Sequence, residues 1–307
     1  MKCRSQILYI IGNGFDLHHN IKSSYCNFKK YIERVDNQLF ELIDEYLQIE
    51  DNWSDFEEAL SSVDIDTLTQ RAGDFLVSYS AEDWSDAYHH DYQYEIEEVT
   101  RKLSFKLKQY FEEWLTLLKI PKKKDIEKKL LQLDKSAKYL TFNYTYTLQK
   151  TYKIKKSNVL HIHGALGKSK KIILGHNWNP ANKTYLHDQR DPEDLDPRVS
   201  EGNEIIESYF RTTFKPTKEI IKNNKSFFSK LNKVRKIIII GHSISQVDIL
   251  YFKKISKNIK KSKVAWIVTY HTKNDKVNHA KQLKSLGISK KVIKFVKLND
   301  LLKIRRG

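Results

Sequence analysis

The chain has 307 residues, 40% hydrophobic and 30% charged, with a formal net charge of +17. This composition excludes a disordered chain and suits one large domain, or a core domain carrying an insertion. Two cysteines, Cys3 and Cys26, are too few for a disulfide framework, and without CxxC pairs they do not form a structural zinc site.

Ile7–Ile11 (ILYII) is short, wholly apolar and rich in β-branched residues, and it ends at Gly12, as a buried parallel strand does. It is too short for a signal peptide, and nowhere does the chain hold the roughly 20 apolar residues of a spanning helix. Cytoplasmic residence without membrane contact is therefore expected. Gly12, Asn13, Gly14, Phe15 and Asp16 follow directly. Two glycines at a strand end let backbone approach a ligand and present N–H groups to a phosphate. A dehydrogenase fingerprint would place a third glycine near Leu17 and a second strand soon after. Neither is present, so a nucleotide is expected here but hydride transfer is not.

From Phe28 to Leu47 apolar residues recur every three or four positions, the pattern of one helix face. Trp53–Leu60 predicts a second helix with Ser54 as N-cap and Glu57 three residues on. Tyr94–Ile120 predicts a long amphipathic helix that Pro121 stops. Trp53, Trp84 and Trp114 are expected in a core.

Strand-like runs return at Lys138–Phe142, Asn158–Ile162 and Lys171–Leu174. Asn143 follows the first of them. Its amide is neutral and offers both donor and acceptor, so it can hold a water and a sugar hydroxyl together. His161 and His163 follow the second, and strand alternation puts both on one face. His163, at the C-terminal end next to Gly164, is the expected general base, and His161 the packed neighbour. No third ligand is suggested nearby, so no metal is expected.

Residues 177–202 are polar and rich in proline, a long loop and candidate lid. Helical pattern resumes at Ile205–Phe228. Ile237–Ile240 (IIII) is the clearest buried strand, and Gly241, His242 and Ser243 repeat the strand-then-glycine arrangement, with Asp248 further on. Val264–Tyr270 and Val292–Leu298 predict two more strands. The predicted fold is therefore α/β: a Rossmann-like open, mainly parallel sheet with a large helical insertion after the first strand. The core is expected over residues 1–26 and 134–307 and the insertion over 27–133. All four motifs fall at strand ends, where such sheets gather ligand contacts.

Charge is uneven. Residues 205–307 hold 26 Lys/Arg and five Asp/Glu, a net of +21, against −4 for the remainder. This basic third is a candidate surface for nucleic acid or another polyanion.

The segments IIGNGFDLHHNIKSSYCNF, WSDFEEAL, TFNYTYTLQKTY, LHIHGAL and IIGHSISQVDILYF, in this order, resemble the bacteriophage abortive-infection AbiH family nearly end to end. The same landmarks are more distantly similar to the sirtuin-like fold. That resemblance implies an NAD-binding loop at Gly12–Asp16, Asn143 and His163 acting at the nicotinamide ribose, and Gly241–Ser243 holding the adenosine part. The four-cysteine zinc module of sirtuins is absent, so protein deacylation is not implied, and Thr145 stands where many sirtuin-like sequences carry Asp. The expectation is an antiphage effector that hydrolyses NAD or a related nucleotide at the N-glycosidic bond. The alternative is a nucleotide-sensing or nucleic-acid-binding defence module without that activity. The phage trigger and the oligomeric state are not written in these motifs.

Overall fold

The computed structural model describes residues 6–82, 85–167, 172–180 and 196–301. Six strands form one parallel sheet: β1 (Ile7–Ile11), β2 (Lys138–Thr141), β3 (Val159–His161), β4 (Lys236–Ile240), β5 (Ala265–Tyr270) and β6 (Ile293–Lys297). Their order is β3-β2-β1-β4-β5-β6. β1 and β4 are the two most apolar runs and lie side by side, with Leu8 opposite Ile237 and Ile10 opposite Ile239. A strand central in a covered sheet is buried on both faces, which explains why neither run alternates with polar residues. Leu8, Ile10, Ile237 and Ile239 enter one core, and Tyr9, Ile11, Ile238 and Ile240 the other. Burying each such side chain contributes about 1.5–3 kcal/mol.

The chain moves outward from β1 to β2 and β3, then returns to place β4 on the other side of β1. Strand order therefore reverses between β1 and β4. In open α/β sheets the crevice at that point, beyond the carboxyl ends of the strands, is where ligands bind.

The chain folds into two compact units. The sheet unit comprises Met1–Ser24, Leu115–Ile173 and Thr217–Gly307. The helical unit comprises Tyr25–Trp114 and Leu174–Pro216, so it is made of two chain segments where the sequence pattern suggests one. Within it, Phe28 is ringed by Trp53, Phe56, Phe111 and Trp114 at centroid distances of 5.2–6.0 Å. Trp53 and Trp114 are thus core residues as expected, whereas Trp84 lies outside the described residues. Lys215, fully buried, pairs with Glu57, which also accepts from the Tyr25 hydroxyl.

Several elements differ from expectation. The helix expected over Phe28–Leu47 is two, Tyr25–Val35 and Asn37–Tyr46, because Asp36 caps the second by accepting from the Leu39 amide. Ser54 is no cap: its hydroxyl donates to Glu50, and the helix there is only Phe56–Ala59. The long helix runs Asp91–Arg101 and Leu107–Leu117, joined by a π-helical turn at Lys102–Lys106, and it ends before Pro121. Ile172–Leu174 is not a strand: Ile173 donates one amide bond to His163 O, but no ladder follows. The helical run expected over Ile205–Phe228 is three helices, Pro197–Thr213, Thr217–Asn223 and Lys225–Ser229. Residues 197–202 of the expected loop are therefore helical, started by Pro197 and by Asp196 accepting from the Arg198 amide. Residues 181–195 of that loop lie outside the described residues, so most of the candidate lid does too.

Candidate active site

The site grows from the ends of β1, β2 and β4, all in the sheet unit. Gly12 donates its amide to Ile240 O at 3.0 Å, and Gly14 to Gly241 O at 2.8 Å. The two strand-end loops thus dock backbone on backbone. A Cβ on Gly12 would lie 2.5 Å from the His242 α-carbon, and one on Gly241 2.3 Å from the Phe15 amide nitrogen, at a φ of +62°. Glycine is required at both positions by approach, and at Gly241 by conformation as well. The Phe15 amide donates to Gly12 O. Three of the amides expected to face a phosphate are consequently engaged within the protein.

The other loop residues are also accounted for. Asn13 exchanges hydrogen bonds with Ser23, donating to its carbonyl and accepting from its hydroxyl. Phe15 is buried in the core. Asp16, 1% exposed, accepts from the hydroxyls of Thr145 (2.6 Å) and Thr147 (2.8 Å). Burial pushes its carboxyl up to about 6 against the opposing pull of these hydrogen bonds.

That carboxylate clamps the loop after β2. Within the loop, Asn143 has its amide bonded to Thr141 Oγ1 and its carbonyl to His161 Nδ1. His161 Nδ1 must carry the hydrogen for that bond, so the neutral ring accepts from Gln149 at Nε2. The Asn143 side chain remains. It is 7% exposed, and its Nδ2 stands beside the Asp16 carboxylate, close enough to help hold it ionised but without a well-aligned hydrogen bond.

His161 and His163 do not share a face, contrary to the alternation argument. β3 ends at His161, and His163 stands in the turn beyond it. His161 meets Gln149 and Tyr146, while His163 meets Phe142, Asp248 and Tyr251. Phe142 and Tyr251 belong to the core on the Leu8 side of the sheet, and the helix carrying Gln149 packs Leu148 on the Tyr9 side. Alternation governs only residues inside the strand.

Beyond β4 the chain turns sharply. Ile244, fully buried, has a φ of +55°, unusual for a β-branched residue. Its side chain is held in the core and its amide donates to His242 Nδ1 at 2.8 Å, and together these keep the strained turn.

A cavity of about 720 Å³ opens at the carboxyl ends of β4–β6 and the start of the helix Asn13–His18. Its size is that of a nucleotide-scale ligand pocket. Gly14, Gly241, His242 and Ser243 line it; Asn143, His163 and Asp248 do not. Sequence reasoning missed His18, His271, His279 and Lys297 on its walls. His279 is buried on the helix Lys273–Ser285, whose polar residues carry no inward signal, and burial holds its ring below the usual histidine range despite Asp275. The site residues thus form three groups: Asn143 with Asp16 and the threonines; His163 with Asp248 and His242; and the cavity. His242 belongs to the last two.

Residues 8–270 match the family described as Bacteriophage abortive infection AbiH. The chain belongs to the AbiH family. That membership supports a phage abortive-infection role, and the matched segment contains every catalytic and binding residue named from the sequence. No curated protein and no solved structure matches the chain. Among the described residues, no group of three or more His, Cys, Asp or Glu is arranged to hold a metal ion, and no helix is long and apolar enough to cross a membrane.

Proposed function

We propose that this AbiH protein acts in phage defence by cleaving NAD or a related nucleotide at its N-glycosidic bond. One observation carries the reading: Asn143 is fixed through its backbone at both ends, and its buried side-chain amide stands beside the Asp16 carboxylate without a well-aligned hydrogen bond. A donor held in that way is placed to turn to a bound ligand or water.

In this reading the 720 Å³ cavity takes the adenosine and phosphate portion of the nucleotide, beside Gly14, Gly241 and Ser243, and the reacting ribose extends past His242 toward His163 and Asn143. Asn143 orients a water and a ribose hydroxyl. His163 accepts the water's proton as the bond to the nicotinamide breaks. Purified protein incubated with NAD should release nicotinamide. Asn143→Ala and His163→Ala should each slow release by about 10²–10⁴-fold while leaving the circular dichroism spectrum unchanged. Wild-type rates from both folded variants, or no release by the wild type, would sink the reading.

The net charge of +21 over residues 205–307 favours a second reading, a polyanion-binding defence module. Tight DNA or RNA binding that weakens steeply with salt, without NAD turnover, would support it.

A further inference from the structure

Two buried histidine rings from different strand ends meet one carboxylate. His163 Nε2 stands 3.4 Å from Asp248 Oδ1, and His242 Nε2 stands 3.5 Å from Asp248 Oδ2. The proton on the His242 side is assigned by its neighbour. His242 Nδ1 accepts from the Ile244 amide, so the neutral ring carries its hydrogen on Nε2, on the Asp248 side. One carboxylate oxygen is thereby next to a donor, and the other faces His163. Aromatic contacts hold the set: Phe142 lies edge-on to His163 at 5.2 Å and to His242 at 4.2 Å, and Tyr251 lies 5.4 Å from His163.

We propose that Asp248 is a positioning residue for His163, held in place by His242, and not a contact to the nucleotide. This rests on the reading of His163 as the base. In that step water attacks the sugar carbon while the bond to the nicotinamide nitrogen breaks. The bonding pair leaves on that nitrogen, which becomes neutral, and the water's proton passes to His163. The ring gains a positive charge at that moment, and the carboxylate 3.4 Å away offsets it. An interaction that strengthens only as charge develops acts on kcat rather than on substrate binding. It also makes the ring easier to protonate, so the acidic limb of the pH profile carries its signature. The ionisable groups facing His163 include Asp248 and Tyr251 from the segment after β4, and Tyr144 from the loop after β2. His242 faces the same carboxylate. Asp248 is the acidic member of this set.

Asp248→Asn keeps the shape and removes the charge; Asp248→Ser carries the same test if the first variant does not fold. In the full-length protein, nicotinamide release should show kcat lowered about tenfold or more with KM little changed. Its acidic limb should move to lower pH. NMR titration of labelled histidine, with His163 assigned by His163→Gln, reads the same effect without turnover: the His163 ring should titrate at lower pH in Asp248→Asn. An unchanged limb and kcat, or an unchanged His163 titration in the folded variant, overturns the proposal. If the wild type releases no nicotinamide, it is the NAD reading that fails, and the titration alone then decides the role of Asp248.

Discussion

Asp16 shows how a residue read as a ligand contact can be turned inward. Its carboxyl has a folded value of about 6 against an ordinary 3.8, so between those values the folded chain binds the proton and the unfolded chain does not. Stability from this group is therefore greatest at low pH and is lost as pH rises toward 6, by on the order of 2–3 kcal/mol. Asp16→Asn, neutral throughout, should gain stability relative to the wild type as pH rises from about 4 to 7, read by urea denaturation at both ends. A constant difference across that range would contradict the burial argument. Tyr152 presents a simpler case. His19 Nδ1 donates to Phe15 O, so its Nε2 accepts from the Tyr152 hydroxyl, which in turn accepts from the Leu131 amide. Tyr152→Phe strands both partners and should cost about 1–3 kcal/mol in a thermal or urea melt.

At the scale of elements, the docked ends of β1 and β4 decide whether the crevice exists. Gly241→Ala puts a Cβ at 2.3 Å from the Phe15 nitrogen in a left-handed conformation. Strain of roughly 1–2 kcal/mol and overpacking of roughly 1–3 kcal/mol then act together. Gly73, at the end of the helix Ile65–Gly73, is the control, because an added methyl group there would meet nothing within 4 Å. Gly73→Ala should be neutral or stabilise by up to about 1 kcal/mol. Comparing the two melting curves separates the need for glycine from the general effect of adding a methyl group. The strands themselves were legible because ILYII and IIII are both wholly apolar, and only a doubly covered parallel strand tolerates that. The end of β3 was not legible: nothing in LHIHG marks where hydrogen bonding to β2 stops, and that point decides on which face His163 emerges.

Across the whole molecule, histidines oppose Asp16. Burial holds His19 and His176 at about 4, and lowers His18 and His279 as well. A ring kept neutral in the fold but free to protonate when unfolded contributes stability above pH 6.5 that is lost as pH falls toward 4. Several such rings outweigh one raised carboxyl, so the folded chain should lose stability overall on acidification from about pH 7 to about 4.5, by a few kcal/mol. A midpoint that rises over that interval would show that Asp16 dominates instead.

The sequence by itself determined the sheet, the strand ends that carry the candidate site, and the family. Each depends on local pattern: apolar runs, strand-end glycines and ordered motifs written in consecutive residues. The tertiary structure alone decided which donors are already used and which groups meet. Gly14 spends its amide on Gly241, 227 positions away along the chain; Asp16 faces Thr145 and Thr147; and Asp248 comes to stand between His163 and His242. Such pairings arise from packing between distant segments, where hydrogen bonding and burial are satisfied in three dimensions and leave no spacing in the sequence to read.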